Sequence, residues 1–232
     1  MAQSAKRVAL IVGAGPQLGA SCGKRFGEAG FVPVLSSRNP EKLKALAAAQ
    51  PGAIAFPCDA TDEAAVNEMV DGIEADIGAI ECCVYNPGAG FQRAPVIEQA
   101  AERFEAVWRS IAMGGFLVGR AVARKMVPRG RGTIIFTGAT ASLRGGPGFA
   151  AFASGKFALR ALAQSMAREL QPQGIHIVHV AIDGRIGTAG IGSNDGSMMD
   201  PDEIASTYAG LTFQGKSNWT QELDIRPWKE KW

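Results

Sequence analysis

The sequence predicts a single doubly wound α/β domain over residues 1–232, with a parallel sheet and helices on both of its faces. Three observations lead there. Short, uninterrupted apolar runs alternate six times with helical stretches, and a strand covered on both faces reads as such a run. The links between them are short, as β/α crossovers are. The first strand runs into a glycine-rich turn, Gly13-Ala14-Gly15-Pro16-Gln17-Leu18-Gly19, that opens a helix.

The elements follow in order. Val8-Ala9-Leu10-Ile11-Val12 is the first strand, stopped by Gly13. Leu18 to Ala29 is helical, with Gly30 as its C-terminal cap. Val32 to Ser36 is the second strand, where Pro33 marks a start or a bulge. Pro40 to Ala49 is a helix beginning on a first-turn proline, a favoured start. Ile54 to Pro57 is a short strand, and Thr61 to Ile77 an amphipathic helix with Thr61 as N-cap. Ile80 to Tyr85 is the fourth strand, and a long helix covers Ala100 to Met126, loosened at Gly114-Gly115. Gly132 to Thr137 is a strand, Phe149 to Leu170 a second long helix and Ile175 to Ile182 the sixth strand. Asp183 to Ser197, rich in glycine, serine and asparagine, reads as a long surface loop, and such loops often carry function. Asp200 caps a last helix to Leu211, and Leu223 to Arg226 offers a short edge strand. No repeat, low-complexity tract or domain boundary interrupts the pattern.

Composition excludes several classes. Hydrophobic residues are 47% and charged residues 20%, a globular balance rather than a disordered one. A net charge of +2, evenly mixed, gives no electrostatic case for nucleic acid or a membrane surface. No apolar run is long enough to span a bilayer, and no leader precedes Val8, so a cytoplasmic protein is expected. Cys22, Cys58, Cys82 and Cys83 fit no zinc spacing; no metal site is expected, and the thiols read as buried and reduced.

The glycine turn is the first functional signal. At a helix N-terminus, free N–H groups and the helix dipole favour a phosphate, and glycines let the backbone approach it. A strand–turn–helix at the start of a β/α series makes the domain Rossmann-type and points to a dinucleotide. The turn resembles the G-x-x-x-G-x-G of the short-chain dehydrogenase/reductase family. Gly13 and Gly19 match its outer glycines, while Gln17 stands at the middle one. Either Gln17 crowds the phosphates or Gly15 supplies the slack.

Further matches span most of the chain. Asp59-Ala60 resembles the family's adenine-binding acid after the third strand, and Tyr85-Asn86-Pro87-Gly88 its N-N-A-G motif, with Asn86 and Gly88 kept. Asp183-Gly184-Arg185-Ile186-Gly187-Thr188 resembles P-G-x-x-x-T, where the threonine and nearby backbone hold the nicotinamide amide; Asp183 replaces the proline. The second strand ends in Ser36-Ser37-Arg38-Asn39. An acid there would hold a ribose 2′-hydroxyl, whereas a guanidinium suits a 2′-phosphate. The resemblance thus implies NADP, with NAD as the alternative.

The same resemblance locates the reacting groups. The family's Y-x-x-x-K falls on Phe152-Ala153-Ser154-Gly155-Lys156: Lys156, the ribose holder, is kept and the proton-exchanging Tyr is Phe152. Thirteen residues earlier the family serine falls on Ala139, and its helical asparagine on Ile111. Phe152 with an irregular glycine turn is similar to an atypical subgroup of the family. Thr140, Ser142, Tyr85 and Asp183 are the polar residues nearest the lost groups; local backbone bonding, packing and loop capping explain them more readily than catalysis does. His176 and His179 have no acidic or nucleophilic partner in sequence reach and read as structural.

Two functional readings follow. One is an NADP-preferring oxidoreductase moving a hydride to or from a small carbonyl or alcohol. The other is a nucleotide-binding sensor, scaffold or subunit without catalysis. The helices at 100–126 and 149–170 resemble those that pair family members into dimers and tetramers. The tail from Ser217 to Trp232 carries Trp219, Trp228 and Trp232, which cover either the chain's own core or a partner.

Overall fold

The computed structural model describes residues 6–88, 92–188 and 195–229. Seven parallel strands form one twisted sheet in the order β3-β2-β1-β4-β5-β6-β9. In chain order these are β1 (Arg7–Val12), β2 (Val32–Ser36), β3 (Ile54–Ala55), β4 (Ala79–Tyr85), β5 (Gly132–Thr137), β6 (Ile175–Ile182) and β9 (Glu222–Ile225). In a separate small pair, β7 (Arg185–Ile186) lies within what reads from sequence as one long loop and β8 (Met198–Met199) just past its end. Residues 189–194 of that loop fall outside the described residues.

The helices lie on both faces. Helices α1 (Leu18–Glu28), α2 (Pro40–Ala48) and α7 (Pro201–Thr212) pack Phe26, Leu43 and Tyr208 against one face. Helices α3 (Glu63–Asp76), α4 (Ala101–Trp108), α5 (Gly114–Met126) and α6 (Ala150–Leu170) pack Met69, Val118 and Leu159 against the other. Strands β1, β5 and β6 are buried almost throughout, which is why they read as continuous apolar runs.

Several local readings need correction. The cap of α3 is Asp62, whose carboxylate accepts from the N–H groups of Ala64 and Ala65. Thr61 instead donates its N–H and hydroxyl to Asp59, so the stronger cap wins one residue later. Strand β3 stops at Ala55, short of the expected Pro57, and proline cannot donate to a ladder. Pro33 makes no bulge in β2; it pairs with Ala9, and the β3 ladder begins only at Val34.

The long helix loosens before Gly114, in a π turn over Arg109–Met113. Its cause lies in Tyr85, which is fully buried and donates its hydroxyl to the Ser110 carbonyl at 2.6 Å. A methyl on Gly114 would meet the Tyr85 hydroxyl oxygen at 2.2 Å, so the glycines serve the tyrosine's packing rather than the helix's flexibility. Such wide turns concentrate at functional sites.

The C-terminal segment closes the sheet edge, with β9 parallel to β6. It starts and ends one residue earlier than the sequence suggests; Arg226, just past its end, pairs with the Asp183 carboxylate at 3.4 Å. Trp219 covers the chain's own core: its ring stacks on His176 at 4.9 Å and its Nε1 donates to Gln214 O. Trp228 is 80% exposed, and Trp232 lies outside the described residues.

Candidate functional site

The strand order reverses between β1 and β4, and there the C-terminal ends of the strands open a crevice. Ligands of open α/β sheets bind at this point. The glycine turn forms its floor. Gly13 has φ +86°, and a Cβ there would lie 2.1 Å from the Asn86 carbonyl oxygen, so only glycine fits. Asn86 returns the contact, its Nδ2 donating to Gly13 O at 3.3 Å. A Cβ on Gly19 would sit 2.6 Å from the Ala14 Cα, whereas Gly15 faces open space. Leu18 is buried as the first residue of α1, so toward a ligand it offers backbone and not side chain. Gln17 does not cap its own helix; its Nε2 donates to Ile186 O at 3.2 Å and Gly187 O at 3.1 Å.

A cleft of about 690 Å³ runs from this turn toward α2. Gly13, Gly15, Ser37, Arg38, Asp59, Ala60 and Gly88 line it. Lys42 and Leu46 of α2 also line it, and sequence reasoning missed both. The available signal was Lys42 four residues after Arg38, at the start of a helix whose cap, Asn39, accepts from the Lys42 N–H. Burial raises the Asp59 carboxyl, but the two Thr61 bonds and the charges of Arg38 and Arg109 outweigh it and leave it below its ordinary value.

The surroundings of Lys156 are different in character. Lys156 is buried and donates its Nζ to the Thr137 carbonyl at 2.7 Å; burial lowers its pKa to about 8. The Lys156 ammonium lies 5.5 Å from the centre of the Phe152 ring. Phe152 packs edge-on against Phe149, and Arg93 lies over the Phe149 ring at 4.8 Å. Ile111 is fully buried and packs on Gly155, one residue before Lys156.

The structure brings together two groups that the sequence leaves apart. Thr140, next to Ala139, donates its hydroxyl to the buried Asp183 carboxylate, which also pairs with Arg226. Ser142 is not part of this: its Oγ accepts from the Ala139 N–H and meets His179 Nε2 at 3.2 Å. Burial lowers the His179 pKa to about 4, leaving a neutral, structural ring. Gly184 abuts Pro227, where a Cβ would meet the proline ring at 2.5 Å, and Gly187 donates to Met199 O. Ile186 is half-buried and Thr188 exposed on the same segment. Among the described residues, no group of three or more His, Cys, Asp or Glu side chains is arranged to hold a metal, and no helix is long and apolar enough to cross a membrane.

A parallel sheet in this order, with a glycine turn at its reversal point and beside it a cleft that carries Arg38, Lys42 and Asp59, defines a nucleotide-binding doubly wound protein. The short chain dehydrogenase family model matches residues 7–192, and the chain belongs to that oxidoreductase family. The chain is 34% identical to gluconate 5-dehydrogenase from Gluconobacter oxydans over 176 residues, covering 73% of this chain and 67% of that one. Its fold matches the crystal structure of a short-chain dehydrogenase from Rhodopseudomonas palustris with a TM-score of 0.84 and 40% identity, over 96% of this chain and 99% of the other. It also matches a metagenomic short-chain oxidoreductase in complex with NADP, at a TM-score of 0.84 and 27% identity, over 98% and 100% of the two chains.

Proposed function

We propose that this single-domain protein is an NADP-preferring oxidoreductase that moves a hydride to or from a small carbonyl or alcohol. The observation that carries this reading is the contrast within the crevice. Its adenosine side is glycine-lined and carries the charged side chains of Arg38, Lys42 and Asp59, while Phe152, Ala139 and Ile111 leave the reacting side without a proton-exchanging group at those positions. The open space beside Gly15 and the paired cations Arg38 and Lys42 suit a phosphorylated adenosine.

In this reading Arg38, Lys42 and Ser37 hold the ribose phosphate, and Asp59 with Ala60 the adenine. The backbone of Gly13, Gly15, Gln17, Leu18 and Gly19 faces the pyrophosphate, with Asn86 and Gly88 lining the middle. Lys156 holds the second ribose, and Gly184, Ile186 and Thr188 the carboxamide. The nicotinamide, when bound, supplies or accepts the hydride. The proton needs another group, because Phe152, Ala139 and Ile111 have none to exchange. Thr140 takes that role: its hydroxyl stands one residue from the lost serine position and is bonded to Asp183. The likeness to gluconate 5-dehydrogenase makes small hydroxylated acids and their ketones the first substrates to try.

The test has two stages. NADPH and NADH are titrated by fluorescence, and ketones, aldehydes and hydroxy acids are then screened for cofactor turnover. NADPH binding tighter than NADH, with turnover on one class, is the expected result. Tight binding with no turnover on any class overturns the catalytic reading. We further propose that copies pair through α4–α5 and α6, where Phe116 and Phe157 are exposed. Light scattering of the purified protein checks this, with a monomer as the contrary result.

A further inference from the structure

Gln17 occupies the middle-glycine position, and its φ of −97° lies outside the left-handed region that favours glycine. What the glutamine adds is an arm. Its carboxamide ignores the helix it begins and reaches 169 and 170 residues along the chain to the carbonyls of Ile186 and Gly187. Those carbonyls sit on a fixed support. Gly187 donates to Met199 O at 2.9 Å, β7 pairs with β8, and Gly184 is wedged on Pro227.

The shape of the cleft agrees with this bridge. Its walls include Pro16 on the turn and Gly88 and Ser110 opposite, but neither residues 184–188 nor Lys156. The open space therefore takes the adenosine end of a dinucleotide, and the Gln17 arm spans from the phosphate turn to the segment beyond. The arm presents an amide –NH₂ to two backbone carbonyls. A nicotinamide carboxamide offers the same donor chemistry to the same segment.

We infer that Gln17 is a built-in substitute ligand. Its side-chain amide holds the Ile186 and Gly187 carbonyls until the nicotinamide end of a dinucleotide displaces it. The adenosine end binds without disturbing it. This rests on the nucleotide reading above and adds a selectivity to it: fragments lacking the nicotinamide escape a penalty that the whole cofactor bears.

The experiment compares wild type with Gln17→Ala and Gln17→Gly. NADPH and NADH are titrated by fluorescence, and adenosine 2′,5′-bisphosphate by calorimetry. Two neutral hydrogen bonds that need no longer be broken should tighten dinucleotide binding about tenfold in both variants. The affinity for the bisphosphate should not change. Dinucleotide affinity that is unchanged or weaker, or a parallel shift for all ligands, overturns the inference while leaving the nucleotide reading intact. Failure of every ligand to bind all three proteins overturns both. Binding of the dinucleotide only after Gln17 is replaced is the strongest support.

Discussion

Ile111 rests directly on Gly155: a methyl added to that glycine would lie 3.0 Å from the Ile111 Cβ and 3.1 Å from its Cδ1. Close packing between the π turn and α6 thus fills this point, one residue from Lys156, where the resemblance to the family implies an asparagine. The apolar residue there is part of the core, and Gly155 makes room for it.

Restoring an amide at that point should therefore destabilise the protein. Ile111→Asn loses buried apolar contact and leaves a polar group without a partner, a combined effect of about 3 kcal/mol. Urea denaturation followed by circular dichroism reads it as a lower midpoint. An unchanged midpoint would mean that the pocket already accommodates an amide or a water.

Lys156 gives a pH signature. Burial lowers its pKa to about 8 from 10.5, so between those values the unfolded chain binds more protons than the folded one. By linkage, this group's contribution to stability rises with pH across that window. Buried thiols act the other way, with Cys58 raised to about 11 and Cys82 to about 12. The useful quantity is therefore the difference from Lys156→Met. Between pH 8 and 10 that difference should move in favour of wild type by about 2 kcal/mol; a flat difference contradicts a strongly shifted lysine.

The Thr140–Asp183 bond predicts a split between binding and turnover. Thr140→Val keeps the shape and removes the hydroxyl, so it should reduce turnover about a hundredfold while NADPH affinity stays within twofold, about what loss of acid/base assistance produces. Thr140→Ser should retain most of the rate. Equal rates for the valine and serine variants would move the proton to another group.

On the proposed reading, Arg38 carries the cofactor preference. Replacing it with Glu should weaken NADPH by about tenfold or more and leave NADH unchanged or improved, since a charge-assisted contact becomes a repulsion. Lys42→Ala should weaken NADPH in the same direction and by less. Fluorescence titrations of both cofactors read the ratio directly.

The alignment of the reacting side can be tested by gain of function. Phe152→Tyr places a phenol near the Lys156 ammonium, which is 5.5 Å from the present ring. Combined with Ala139→Ser, it should raise carbonyl reduction above wild type on the same panel of ketones. No gain, in a variant that still binds NADPH, would count against this register.

The sequence by itself determined the layered architecture and most of the element boundaries. Strands such as β6 are buried on both faces, so composition and burial carry the same information. It also located the glycine turn, because a positive φ at Gly13 and a close approach at Gly19 leave a glycine in the sequence as their trace. Contacts between distant segments left no such trace. Nothing local ties Gln17 to Ile186, Tyr85 to Ser110 or Thr140 to Asp183. Lys42 joined the cleft only when α2 was set beside Arg38. The shift of the helix irregularity into Arg109–Met113 followed from a tyrosine on a neighbouring strand. Sequence patterns report each residue's average environment, burial above all, while the direction of a side chain and its partner across the crevice are fixed only when the sheet brings its strand ends together.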